Sequence, residues 1–185
     1  IYWEKKSELE KLVSLKNNIH YDDSYIKEIL FNTKSIAIVG LSDKENRPSN
    51  FAAKYLKNRG YKIIPINPVT SKKTILGEKV YKTISELEFI PDMVDLFVKK
   101  ERILAFVQEA IKIKTKTIWL QLGLIDKESE KIANSANINF IMNRCPKIEY
   151  AKFSGELGWA GVNSNVISNK RNLLIKWQKK KIHMV

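Results

Sequence analysis

This chain has very little cysteine and histidine. Cys145 is the one cysteine in 185 residues, so no disulfide can form within the sequence and a reducing, intracellular setting is expected. The 2 histidines, His20 and His183, fall in the terminal arms. No cluster of His, Cys or carboxylate has metal-ligand spacing, and no metal is expected. No apolar run approaches the roughly 18 residues that a membrane span needs. Residues 1–16 are charged throughout and lack the apolar centre of a signal peptide. The expectation is a cytoplasmic protein. Its opening on Ile1 rather than Met suggests an incomplete N-terminal arm.

Low-complexity segments are also missing, and 44% of the residues are hydrophobic. Both features exclude a disordered chain and fit one globular domain with arms. The 33 Lys and Arg against 20 Asp and Glu give a net charge of +13, a balance that raises the question of a nucleic-acid or membrane partner. The lysines are spread over nearly every helix and turn, however, and only Lys179-Lys180-Lys181 is dense. A specific reader of nucleic acid concentrates charge on one face and interleaves stacking aromatics, so nucleic-acid binding is not expected.

Five short apolar runs stand at 36–39, 62–66, 93–98, 117–122 and 138–142. Runs of this kind are what strands buried on both faces look like, and the spacing between them leaves room for crossovers. Helical patterns lie between them at 50–58, 101–112 and 127–136, with two more at 4–15 and 23–31. Residues 74–81 and 85–87 read as a loop with a small turn. After the last run comes a Gly-, Ser- and Asn-rich stretch at 154–169, then a basic amphipathic segment at 171–181. The implied architecture is α/β: a Rossmann-like, doubly wound, mainly parallel five-stranded sheet. It spans 35–150, between a helical arm at 1–34 and an extension at 151–185.

In open α/β sheets, ligands bind beyond the carboxyl ends of the strands, where the strand order reverses. The first run stops at Gly40 and leads through Ser42 to Arg47-Pro48-Ser49 at a helix start. A phosphate there would meet backbone N–H groups and the helix dipole, with hydroxyls from Ser42 and Ser49 and a charged fork from Arg47. The loop is not the dinucleotide fingerprint. It has one glycine where three belong, and the second run ends in Asn67 rather than in an acid that would hold a ribose diol.

Several segments together are specific: Gly40-Leu41-Ser42 with Arg47-Pro48-Ser49, Gly60-Tyr61 leading to Pro65-Ile66-Asn67-Pro68, Ile75-Leu76-Gly77 and Val94-Asp95-Leu96. They are followed by Trp119-Leu120-Gln121-Leu122-Gly123 and Arg144-Cys145-Pro146-Lys147-Ile148-Glu149-Tyr150. This set resembles the small stand-alone coenzyme A-binding proteins, whose fold is similar to the coenzyme A-binding domain of the succinyl-CoA synthetase α subunit. The likeness covers about 35–150, and 155–163 resembles the tail of some members. The resemblance implies that coenzyme A or an acyl-CoA binds across the first strands. Gly40, Ser42, Arg47 and Ser49 would then face the phosphates, Asn67 and Pro68 would line the adenosine part, and Val98 and Lys99 would close the pocket. Lys72 and Lys73 are further candidates, for a 3′-phosphate.

Cys145 sits beyond the fifth run, where Arg144 and Lys147 could lower its pKa for disulfide chemistry with a coenzyme thiol. A small buried hydrophobe is the favoured alternative. Asp95 and Glu149 are the carboxylates nearest strand ends, expected to serve as ion-pair or capping groups, and no catalytic trio is visible. The resemblance thus implies a non-catalytic or regulatory binding protein. A catalytic partner subunit of an acyl-CoA ligase or transferase assembly and an NAD-dependent redox sensor are the alternatives, and a homo-oligomer is left open.

Overall fold

The computed structural model describes residues 19–155. The segments at 4–15, 154–169 and 171–181 lie wholly or almost wholly outside them. A first helix, α1 (Asp23–Asn32), precedes strand β1 (Ser35–Val39), helix α2 (Pro48–Asn58) and strand β2 (Lys62–Ile66). A hairpin of β3 (Thr74–Ile75) and β4 (Glu78–Lys79) follows. Then come β5 (Met93–Leu96), α3 (Ile103–Lys112), β6 (Thr117–Leu120), α4 (Lys127–Ser135), β7 (Asn139–Ile141) and α5 (Pro146–Phe153). The main sheet has the order β2-β1-β5-β6-β7, with every pairing parallel. The expected Rossmann-like α/β fold is present, and the order reverses between β1 and β5.

Alternation along the strands divides the core into two. Ala37, Val39, Val94, Leu96, Ile118 and Leu120 face α3 and α4, meeting Phe106, Val107 and Ala133. Ile36, Ile38, Met93 and Trp119 face α1, α2 and α5, meeting Ile26, Leu30, Leu56 and Tyr150. Burying each such side chain contributes about 1.5–3 kcal/mol, which explains why strands of three to five residues hold. At the amino end of the sheet, Asp92 accepts from the N–H groups of Lys34 and Ser35 and from Lys116 Nζ.

Two segments depart from expectation. Residues 74–81 form a hairpin rather than a loop, with Leu76 and Gly77 at φ 54° and 78°. Two left-handed residues make the turn that suits the twist of a hairpin. Leu76 hid it, because Asn or Asp is the usual residue there. Lys57 Nζ fastens the turn to α2 by donating to Leu76 O at 2.6 Å and to Glu78 Oε1 at 2.7 Å. Helix α5 was also not anticipated, since only Pro146, Tyr150 and Ala151 are buried along it. Its Tyr150 ring meets Tyr55 and Tyr61 edge-on, at 6.2 and 5.9 Å between centroids.

Gly40 is more closely approached by other backbone than Gly77, Gly123 or Gly155. It has φ +81°, and a Cβ there would lie 2.2 Å from the carbonyl oxygen of Phe97. Gly123 has a similar φ of +80° but open space around it. Gly40→Ala is therefore expected to lower stability by about 3 kcal/mol or more, the left-handed strain plus a backbone clash, and Gly123→Ala by only about 1–2 kcal/mol. Urea unfolding of both variants checks this, and equal losses would refute it.

Candidate functional site

Gly40 ends β1 between two neighbouring strands. Its N–H donates to Ile66 O at 2.8 Å, the last bond from β1 to β2, at the point of strand reversal. The loop that follows is held by its own polar groups. Ser42 N–H donates to Ser49 Oγ at 3.0 Å, Lys44 N–H to Ser42 Oγ at 3.1 Å, and Asn50 Nδ2 to Ser42 O at 2.9 Å. Both hydroxyl oxygens act as acceptors here, which leaves both hydroxyl protons to donate elsewhere. Arg47 is exposed at the N-cap of α2 with Pro48 in the first turn. Among the described residues the Arg47 guanidinium has no ion-pair partner.

These groups open onto a cleft of about 340 Å³ lined by Gly40, Ser42, Arg47, Ser49, Phe97, Val98, Gln121 and Leu122, with Pro48 and Leu124. Its volume lies within the range of small-ligand pockets. Of the residues named from sequence, Gly40, Ser42, Arg47, Ser49 and Val98 come together in this cleft. Asn67, Pro68 and Lys99 are not among its lining. Asn67 instead joins two loops: its Nδ2 donates to Leu41 O at 2.9 Å, and its Oδ1 accepts from Val69 and Thr70 N–H at 2.8 and 3.1 Å. Pro68 and Lys99 are exposed. Lys72 lies 3.8 Å from Asp43, which also accepts from Thr70 Oγ1; Lys73 is exposed nearby in sequence.

Gln121 and Leu122 belong to the strand-end stretch, 121–124, where the sequence directs the search for a ligand site, although it assigns them no role; they line the cleft. Beneath Gln121 is Asp95, in register between Ile38 and Trp119 and wholly buried. Asp95 is neither an ion-pair nor a capping group: Oδ1 accepts from Gln121 Nε2 at 2.7 Å, and Oδ2 has no partner. Burial pushes its pKa up to about 7, against the opposing pull of the Gln121 hydrogen bond. Glu149 does pair, at 3.5 Å from Arg144 Nε.

Cys145 is buried at the N-cap of α5. Burial raises its pKa, although the Ile148 and Lys147 N–H groups favour the thiolate. Arg144 turns away, donating to Ile19 O and Asn143 O. Cys145 is thus a packed thiol that is not among the residues lining the cleft. Among the described residues, no group of three or more His, Cys, Asp or Glu is placed to hold a metal, and no helix is long and apolar enough to cross a membrane.

An acid with a raised folded-state pKa binds its proton more tightly in the native state, so its contribution to stability is lost as pH rises from the unfolded value towards and past the folded one. Asp95 is therefore expected to cost about 2–3 kcal/mol between about pH 5 and pH 8. Asp95→Asn should remove that slope in urea unfolding measured at both pH values. An unchanged slope would refute this account of the buried carboxyl.

The chain is similar to YneT of Bacillus subtilis (strain 168), 33% identical over 126 residues that make up 68% of this chain and 92% of YneT. It is also similar to the solved structure of a hypothetical protein from Pyrococcus horikoshii OT3, with 36% identity and a TM-score of 0.69 over 73% of this chain and 94% of that one. A third likeness is to the cell-free ID.343 protein from Thermus thermophilus, with 26% identity and a TM-score of 0.68 over 71% and 98% of the two chains. Residues 34–151 match the profile of the family described as a CoA binding domain. Those residues hold the loop, the cleft and the whole parallel sheet, and the chain belongs to that CoA-binding family.

Proposed function

We propose that this protein binds coenzyme A or an acyl-CoA in the cleft at the carboxyl ends of β1, β5 and β6, as a non-catalytic or regulatory binding protein. One observation carries the reading. In a chain of a CoA-binding family, the point of strand reversal presents Ser42, Ser49 and Arg47, which has no ion-pair partner among the described residues, to one cleft beside a helix start. Hydroxyl protons, a charged fork and the positive end of a helix dipole suit phosphate oxygens. The adenosine end would lie towards Asn67 and Pro68, with Lys99 beyond Val98 at the rim and Lys72 or Lys73 near the 3′-phosphate.

The absence of a reaction is the second half of the reading. Among the described residues the lining of the cleft includes no Asp, Glu, His, Cys, Lys or Tyr, and the Cys145 thiol is buried. Phosphate binding and shape would then be the whole activity. Asn67 offers no carboxylate for a ribose diol, and its amide already serves two loops, which disfavours NAD.

Coenzyme A at a hundredfold excess over its dissociation constant is expected to stabilise the fold by about 2.7 kcal/mol, a rise in Tm of about 5–10 °C, with NAD at equal concentration giving no comparable rise. Thermal unfolding tests this; stabilisation by NAD alone would overturn the reading. Arg47→Ala should weaken coenzyme A binding by about 1.5–3 kcal/mol without lowering Tm of the free protein. Unchanged affinity by calorimetry would remove Arg47 from the site.

A further inference from the structure

Asp95 is an expensive residue to keep. A carboxyl at the centre of a parallel sheet with no cation, one oxygen unpartnered and no access to water costs stability that an apolar side chain would not. Among the described residues its one hydrogen bond comes from Gln121 Nε2, and its charge otherwise acts on the Cys145 thiol, which it disfavours as a thiolate. A carboxylate has no hydrogen to give, so it fixes which end of the Gln121 amide it receives. The NH2 is drawn inwards, and the carbonyl oxygen is left on the other side. Gln121 Oε1 has no hydrogen-bond partner within the described residues, and unlike Asp95 Oδ2 it is not among the occluded atoms, in a residue that lines the cleft.

We propose that Asp95 is a positioning residue that holds the Gln121 amide with its carbonyl oxygen towards the cleft, and that this oxygen accepts a hydrogen bond from an amide N–H of the pantetheine arm of coenzyme A. The inference rests on the functional reading above. It follows from the order of the strands. The phosphate-facing loop leaves β1, Asn67 follows β2 on one side of it, and Gln121 follows β6 on the other. A coenzyme with its phosphates at Ser42, Arg47 and Ser49 and its adenosine towards β2 sends its arm towards β6. The arm carries two secondary amides, each with one N–H, and an acceptor at Gln121 reads that group.

Calorimetry at about pH 8, where Asp95 is mostly carboxylate, with coenzyme A and adenosine 3′,5′-bisphosphate, separates the arm from the nucleotide. Gln121→Leu is expected to weaken coenzyme A about three- to tenfold and leave the bisphosphate within about twofold. Asp95→Asn, nearly isosteric, should show the same selectivity loss, and should add nothing for coenzyme A in the Gln121→Leu background. Parallel losses for both ligands, or additive losses in the double variant, would overturn the proposal by making the effect structural. Intact coenzyme A affinity in Gln121→Leu overturns it while leaving the functional reading standing. A wild-type protein that binds no coenzyme A overturns both.

Discussion

The site depends on a steric exclusion. At the end of β1 the backbone passes so close to Phe97 O that only a residue without Cβ fits, and Phe97 N–H in turn donates to Val39 O at 2.9 Å. The two strands on either side of the reversal are thereby kept in contact to their last residue. The chain beyond Gly40 has no room to continue the sheet and must rise over its edge. Loop and helix α2 then stand on one side of a gap, and the ends of β5 and β6 on the other. A wider turn at residue 40 would part the walls of the cleft and release the loop from its anchor at Ile66.

The sheet was legible because its strands are buried on both faces and carry short, mostly apolar runs; all five appear where the runs stand. The lining of the cleft was legible for a related reason. A glycine at a strand end and Arg-Pro-Ser at a helix start are local signals, and Gly40, Ser42, Arg47, Ser49 and Val98 do share one cleft. What sequence could not supply was the pairing of residues distant along the chain. Asp95 and Gln121 are 26 positions apart and meet only because β5 and β6 are neighbours. The turn at Leu76 escaped notice because its backbone conformation runs against its residue type, and α5 because an amphipathic pattern needs more buried positions than Tyr150 and its two companions provide.

The excess of positive charge has a structural use that composition does not reveal. Lys62 lies over Phe89 at 4.6 Å, Lys79 over Tyr81 at 4.9 Å, and Lys27 and Lys152 over Phe153 at 5.0 and 5.1 Å. Lys147 and Arg59 approach Tyr55 at 5.7 and 4.5 Å. Long basic side chains cover ring faces with their stems and keep their heads in water. These lysines therefore roof aromatic edges of the fold, which gives part of the scattered charge a structural role.

The Asn67 side chain makes two neighbouring loops into a single mechanical part. Its donor holds the loop after β1 at Leu41, and its acceptor shapes the turn after β2 at Val69 and Thr70. An aspartate in its place would keep the acceptor and lose the donor, leaving the Leu41 carbonyl facing a carboxylate. The change that would put an acid at the end of β2 would also loosen the loop that follows β1. The residue at the end of β2 and the path of the first loop are thus tied together, and neither can be exchanged without rebuilding the other.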